Sequence, residues 1–136
     1  MTGVSELRLV VTVDDYDAAV AFFRDTLGLT PAAEYMADGE GRVIILEAGR
    51  ATLELTDREH AEHIDALEVG RRVAGKFRLA LQVDDTAAVT RAVAAAGAAV
   101  LAEPTRTPWN SLNARLDAPG GVQLTLFEDL GSSTNA

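Results

Sequence analysis

The sequence predicts an α+β fold built from two βαβββ modules in one chain. The first observation is an internal repeat: the stretch Leu7–Asp15 and the stretch Phe77–Asp85 share alternating apolar residues and a closing Val-Asp-Asp. The second is that each stretch is followed by residues with helical spacing and then by short apolar runs between turn residues. A repeat of this kind indicates the architecture before any single residue is interpreted. We expect a first module at 1–57, a linker helix region at 58–75, a second module at 76–130 and a flexible tail at 131–136.

Each module is predicted to begin with a strand and a capped helix. Apolar residues alternate from Leu7 to Val13, which is the period of a strand with one buried face. Asp15 is positioned to cap a helix over Tyr16–Leu27, and Gly28 is positioned to end it. The second module repeats this order, and the remaining predicted elements are strands near 32–36, 43–48, 51–56, 77–83, 99–102, 112–116 and 122–127 and a helix at 86–96.

The segment between the modules, Arg58–Leu67, reads as a short linker helix exposed to solvent. Its two histidines, His60 and His63, are three residues apart and can share one helix face, so a surface metal site is conceivable there. The favoured interpretation is a solvated helix far from any groove.

Composition excludes several classes of function. A net charge of −9 argues against nucleic acid as a partner, because phosphates need a basic surface. The chain has no cysteine, which removes disulfides and thiolate chemistry. No apolar run is long enough to cross a bilayer, and the first residues do not resemble a signal peptide. We therefore expect a cytoplasmic location and no membrane partner.

One sheet with one helix buries only one face, so the other face must be covered or must form a groove. If the leucines of the strands pack under the helices, strand alternation places the intervening residues on the groove side. Those residues are Arg8, Glu54, Arg78 and Thr125.

The order of these elements, with Val13-Asp14-Asp15 before an Ala-rich helix and Leu27-Gly28-Leu29, resembles the vicinal oxygen chelate superfamily of glyoxalases, extradiol dioxygenases and bleomycin-resistance proteins. The closing stretches Thr107–Asn110 and Asp117–Leu124 look like the final hairpin of that family. The resemblance implies curved sheets around a groove and a homodimer, since grooves of this family commonly form where modules of two subunits meet.

In metal-dependent members of the family, the first and fourth strands of each module supply the metal ligands. The resemblance carries those positions onto Arg8, Glu54, Arg78 and Thr125. Arginine has no free lone pair and repels a cation. We therefore expect no metal and no cofactor, and the departure disfavours glyoxalase or dioxygenase activity.

Arg8, Glu54 and Arg78 allow two interpretations. Glu54 can simply neutralise an arginine, or the group can hold a polar part of a ligand. Trp109, the only tryptophan, matches an aromatic position that lines the groove in bleomycin-resistance-like proteins, so it is the first choice for stacking on a planar ligand. The further candidates for ligand binding are Tyr35, Asn110, Asn113, Thr125 and Phe127.

The function predicted from these residues is metal-independent binding and sequestration of a small, largely planar organic molecule, as in antibiotic resistance, and a binding protein is favoured over an enzyme. The alternative is a metal-independent isomerase, lyase or cyclase of natural-product metabolism, with Glu54 as the base and an arginine steadying an anionic intermediate. A third interpretation is an accessory domain without a ligand, which a shallow, salt-bridged groove would favour.

Overall fold

The computed structural model describes residues 3–118 and 122–131. Its strands are β1 (Glu6–Val13), β2 (Thr30–Ala37), β3 (Gly41–Ala48), β4 (Ala51–Asp57), β5 (Phe77–Gln82), β6 (Ala99–Arg106), β7 (Ser111–Asp117) and β8 (Gln123–Asp129). Its helices are α1 (Tyr16–Val20), which continues as a π-helix over Ala21–Thr26, α2 (Arg58–Glu68) and α3 (Thr86–Ala95).

All the strands belong to one curved, open sheet in the order β2-β3-β4-β1-β5-β8-β7-β6. Within each half the first strand runs parallel to the last: β1 pairs with β4 and β5 pairs with β8. The two halves join through the antiparallel pair β1–β5, with Leu9 opposite Leu79. The predicted α+β fold with two βαβββ modules is confirmed, and the groove is formed within one chain.

Aspartates begin all three α-helices. Each of the carboxylates of Asp15, Asp57 and Asp85 accepts a hydrogen bond from the backbone N–H three residues later, at 3.0, 2.8 and 3.0 Å. Such N-caps satisfy donors that have no partner inside the helix. The first helix differs from the prediction of one regular helix to Leu27, because it widens into the π-helix after Val20.

Two apolar clusters form the core, one under α1 and one under α3. The first contains Tyr16, Val20, Ile44, Leu46 and Leu55. The second contains Val83, Val89, Ala114, Leu116 and Leu126. We call this side of the sheet the helix face and the opposite side the groove face.

The predicted alternation is correct, but the helices do not cover every leucine on their side of the sheet. Leu53, Leu55 and Leu126 contact the two core clusters, whereas Leu9, Leu79 and Leu124 belong to neither cluster. The helices cover the middle strands only in part. Val11 and Val13 of β1 and Leu81 of β5 pack against the clusters, while α1 packs mainly on β4 and α3 packs on β6, β7 and β8.

The linker helix α2 is not the solvated helix that the sequence predicted. Five of its residues are buried: His60, Ala61, Ile64, Asp65 and Glu68. It lies across the groove face, where it contacts β3, β4, β1 and β7. A helix that bridges the two halves buries its inner side whatever its polarity, and here that side carries acidic residues and a histidine.

Among the described residues, no helix is long and apolar enough to cross a membrane. Residues 132–136 of the predicted tail and residues 119–121 of the predicted last turn lie outside the described residues.

Candidate functional site

Arg8 lies at the centre of a polar cluster on the groove face, at the end that α2 leaves open. Its guanidinium group lies 3.2 Å from the Glu6 carboxylate and 3.5 Å from that of Glu54, and its Nε donates to the Thr52 hydroxyl at 3.1 Å. Thr52 in turn donates to Glu6 at 2.6 Å. The strand pairing explains this cluster, because Arg8 stands opposite Thr52 on the adjacent parallel strand, and Glu54 follows Thr52 by two residues on the same face. One cation is thus held between two carboxylates.

Aromatic side chains adjoin this cluster. The Phe127 ring lies under the Arg8 guanidinium, with 5.1 Å between the guanidinium carbon and the ring centroid. A cavity of about 110 Å³ is lined by Glu6, Arg8, Gln82, Trp109, Ser111, Phe127 and Asp129. A planar group can stack on such rings while its polar edge meets the charged residues.

A second, larger cavity of about 380 Å³ lies on the other side of Arg8. Glu6 and Arg8 line both cavities, so the two adjoin at these side chains. The remaining walls come from β2, β3 and the β3–β4 turn, including Ala33, Ile45, Glu47 and Arg50. We call the two together the Arg8 cavity.

Deeper in the groove, Arg78 donates to the Thr125 hydroxyl at 2.6 Å. Its Nε is buried and has no hydrogen-bond partner among the described residues. Burial, and after it the nearby Arg115 charge, lowers the pKa of Arg78 from its usual value. This pair lies on the groove face but lines neither part of the Arg8 cavity.

A buried ionic cluster ties α2 to the sheet. The Arg115 side chain is 0% exposed, and its guanidinium lies 2.7 Å from both the Asp65 and the Glu68 carboxylates. Glu68 also accepts from the Asn113 amide at 2.7 Å. Burial favours the neutral form of Asp65, but donors from Ala74, Arg115 and Val73 outweigh it and lower the pKa of this carboxyl. Sequence analysis missed Arg115, Asp65 and Glu68.

The prediction that both histidines lie far from the groove is wrong for His60, which is on the buried side of α2. It is 2% exposed, and its Nδ1 lies 2.6 Å from the Glu40 carbonyl oxygen, while its Nε2 has no partner among the described residues. Burial lowers the pKa of His60. The ring of His63 lies 5.9 Å away, and no group of three or more described His, Asp or Glu residues is arranged to hold a metal.

The predicted ligand-binding residues therefore separate into two groups and two single residues. Arg8, Trp109 and Phe127 line the Arg8 cavity, and Glu54 contacts Arg8 beside it. Arg78, Thr125 and Asn113 lie beside the ionic cluster that ties α2 to the sheet. Asn113 donates to Glu68, and Thr125, which accepts from Arg78, stands opposite Arg115 in the sheet.

Two candidates lie away from both groups. The Tyr35 hydroxyl donates to Glu40, and its ring centroid is 6.1 Å from that of His60. Asn110 has a positive φ of 63° in the loop before β7, and its side-chain oxygen accepts from Arg106 at 2.9 Å.

Glu6, Thr52 and Asp129 also line the Arg8 cavity and were not among the predicted residues. Their signal was present in the sequence: Glu6 alternates in phase with Arg8, and Asp129 alternates in phase with Phe127. Applying strand alternation beyond the four family positions would have found them.

The four positions that bind a metal in other members of the family do not fit one here. Arg8 and Arg78 are permanently charged donors, the Glu54 carboxylate faces Arg8, and Thr125 accepts from Arg78. A divalent cation at this place would have to displace the Arg8 guanidinium from Glu54 and would meet the positive charge of Arg78.

The fold and this strand order define a particular class of protein. The family model of the glyoxalase/bleomycin resistance protein/dioxygenase superfamily matches residues 7–126, and the chain belongs to this superfamily. A comparison with curated proteins finds no match.

Several solved structures are similar to the whole chain. A hypothetical protein from Bacillus halodurans C-125 is 17% identical, with a TM-score of 0.68 and coverage of 94% of this chain and 96% of that one. A methylmalonyl-CoA epimerase from Streptomyces coelicolor, in complex with 2-nitronate-propionyl-CoA, is 22% identical, with a TM-score of 0.67 and coverage of 98% and 100%. A methylmalonyl-CoA epimerase from Mycobacterium tuberculosis is 23% identical, with a TM-score of 0.63 and coverage of 96% and 89%. At these identities the likeness concerns the fold.

Proposed function

We propose that the protein binds and sequesters a small, largely planar organic molecule without a metal. The observation that carries the proposal is that Arg8, Trp109 and Phe127, chosen from the sequence for different reasons, line one cavity at the open end of the groove. Aromatic walls with a few fixed polar groups are typical of sites for small organic ligands.

The Arg8 cavity offers two kinds of contact. Trp109 and Phe127 supply ring faces for a planar group, while Glu6, Arg8 and Thr52 supply polar anchors. The anchors are held in place by one another, because Arg8 contacts both other groups at 3.1–3.2 Å. A preorganised site loses little side-chain freedom on binding, which favours affinity.

The alternative function is that of a metal-independent isomerase, lyase or cyclase with Glu54 as its base. Two observations favour it as the second candidate: the Glu54 side chain lies within 3.5 Å of Arg8 and is 12% exposed, and an epimerase is among the similar structures. A base must reach its substrate, so Glu54 would first have to release Arg8.

The accessory-domain interpretation applies only to the part of the groove under α2. There Arg115, Asp65 and Glu68 fill the groove face with a closed ionic cluster. The open end is different, because it keeps the Arg8 cavity of about 380 and 110 Å³.

A screen tests the proposal directly. The protein is titrated with a library of aromatic natural products, and binding is read from thermal shift and from the fluorescence of the only tryptophan. For a compound that binds, Trp109→Ala should weaken binding by about 1–3 kcal/mol, measured by calorimetry. Tyr35→Ala is the matched control, since Tyr35 lies against His60, and it should leave the affinity unchanged.

Glu54→Gln separates the two functions. In a sequestering protein it changes affinity modestly and the compound is recovered unaltered. In an enzyme that uses this base, turnover falls about a hundredfold or more while binding persists. Glu47→Gln, an exposed carboxylate in the wall of the same cavity, is the control for a change of charge alone.

Two further expectations belong to this proposal. The protein is proposed to be a homodimer, because symmetric pairs are the commonest assemblies and the sheet keeps uncovered apolar surface. It is also proposed to act in the cytoplasm, and fractionation of cells that produce it would test this.

A further inference from the structure

A cavity of about 580 Å³ lies on the helix face, between α1 and the outer strands β2 and β3. Tyr16 and Val20 line it from the helix, and Met36 and Arg42, which stand opposite each other in the sheet, line it from the strands. Its volume falls within the range of about 300–1,000 Å³ that is typical of sites for small organic ligands. It shares no lining residue with the Arg8 cavity, and we call it the Tyr16 cavity.

The Tyr16 hydroxyl is the unusual group in the wall of this cavity. Tyr16 is 5% exposed, and its hydroxyl is buried without a hydrogen-bond partner among the described residues. A buried tyrosine hydroxyl usually has a partner, because burying an unsatisfied polar group costs free energy. The guanidinium carbon of Arg42 lies 4.4 Å from the centroid of the Tyr16 ring, and Ile44 packs in the same core cluster. The ring is therefore held in place with a hydroxyl that has no partner.

The charges that act on this hydroxyl indicate that it lies beside the cavity. Burial raises the pKa of Tyr16 to about 12, and the next causes are the charges of Glu34, which raises the pKa, and Arg42, which lowers it. Both of these residues line the Tyr16 cavity. At a pKa this high the hydroxyl stays protonated at neutral pH, so it can donate a hydrogen bond.

The charged residues of the lining favour a neutral ligand. Two arginines and two acidic residues line the cavity, so their charges cancel. Arg42 contacts Asp17 at 2.9 Å, and Arg24 contacts Asp25 at 2.8 Å, so both cations already have a counter-charge. The fourth charged residue, Glu34, makes no ion pair with a described residue and would repel an anion.

The helix is irregular where it borders the cavity. Directly after Val20 the backbone widens into the π-helix Ala21–Thr26, and Arg24 of this π-helix lines the cavity. The π-helix is rare, and it is found frequently at functional sites. This feature of the backbone is independent of the Tyr16 side chain and indicates the same place in the fold.

We propose that the Tyr16 cavity is a second ligand site, which binds a neutral organic molecule through a carbonyl oxygen that accepts a hydrogen bond from Tyr16. A carbonyl oxygen supplies the acceptor that the hydroxyl lacks without bringing a charge next to Glu34. Val20 and Met36 supply apolar contacts for the rest of the molecule. This site goes beyond the proposed sequestration at the Arg8 cavity and does not depend on it.

Proton–nitrogen NMR correlation spectra of the full chain test the site with three probes that share a phenyl ring: benzamide, benzoate and toluene. Benzamide should shift the amide signals of Val20 and Met36 saturably. Toluene has no acceptor and benzoate carries a charge, so both should bind at least about threefold more weakly. The benzamide shifts should persist in Trp109→Ala, which alters the Arg8 cavity alone. No saturable shift at Val20 and Met36, or shifts that Trp109→Ala abolishes, would contradict the second site.

Tyr16→Phe removes the hydroxyl and keeps the ring. It should not lower the melting temperature of the free protein, because no partner loses a hydrogen bond, but it should raise the dissociation constant for benzamide about threefold to tenfold. Tyr35→Phe is the matched control, since Tyr35 also borders the cavity but its hydroxyl donates to Glu40. The control should lower the melting temperature and leave the dissociation constant within about twofold.

The two variants also define the results that overturn the proposal. Equal dissociation constants for Tyr16→Phe and Tyr35→Phe would show that the Tyr16 hydroxyl does not hold the carbonyl. If Tyr16→Phe lowers the melting temperature as much as Tyr35→Phe does, or unfolds the chain, the hydroxyl already has a partner such as a water molecule within the fold. That result would contradict a hydroxyl that is free for a ligand, whatever the outcome at the Arg8 cavity.

Discussion

Replacing Arg115 by methionine tests the role of the ionic cluster under α2. The substitution keeps an unbranched side chain of similar length and removes the charge that lies 2.7 Å from both Asp65 and Glu68. Both carboxylates are then left almost fully buried, at 1% and 3% exposed, without their main counter-charge.

The expected loss of stability is large. Removing one partner of a buried ion pair costs about 3–5 kcal/mol, because the remaining charge stays uncompensated in a low-dielectric environment. Arg72 provides the matched control, since it contacts the same Asp65 at 3.1 Å but is 40% exposed. Arg72→Met should cost less than about 1 kcal/mol, as exposed ion pairs do.

Urea denaturation followed by circular dichroism measures both variants against the wild type. In a double variant that adds Glu68→Gln to Arg115→Met, the free energy of unfolding should fall by less than the sum of the two single losses. The difference, which is the coupling energy, should be about 0.5–3 kcal/mol. Equal, small losses for Arg115→Met and Arg72→Met would show that the cluster does not hold α2 to the sheet.

Three further predictions follow from the same structure. Elemental analysis of the purified protein should find no stoichiometric zinc, nickel, iron or manganese, and about one tightly held ion per chain would contradict the account of the Arg8 and Arg78 positions. Gly41→Ala should destabilise the protein far more than Gly49→Ala in thermal melts, since both have a φ of +70° but only a Cβ at Gly41 meets the His60 backbone. Burial lowers the pKa of His60, so between the folded pKa and about 6.5 the imidazole binds a proton in the unfolded chain but not in the folded one. The free energy of unfolding should therefore fall as the pH decreases from about 6.5 through the folded pKa. His60→Asn should flatten that fall, and an unchanged pH profile would refute it.

The sequence predicts the fold well because the fold depends on local signals that occur twice. The capping aspartates Asp15 and Asp85 and the alternating leucines of β1 and β5 each identify an element without reference to the rest of the chain. Two copies in the same order then specify the sheet, and the structure adds the π-helical turn after Val20 and the position of α2 across the groove face.

The site was only partly predictable, for a physical reason. Strand alternation identifies the groove side for Arg8 and Phe127, whereas Trp109 lies in the loop before β7 and was predicted from the family resemblance. The placement of α2 depends on contacts with residues far along the chain, such as the pair of Asp65 with Arg115, and α2 lies outside the repeat. A polar linker helix has the same local pattern whether it lies in solvent or over a groove.

Calorimetric titration of a compound from the aromatic screen into chelator-treated protein tests the central claim most directly. The account predicts about one site per chain, an affinity unchanged by the chelator, recovery of the compound unaltered, and weaker binding by Trp109→Ala. Binding that requires an added metal, or conversion of the compound that Glu54→Gln abolishes, would contradict metal-independent sequestration.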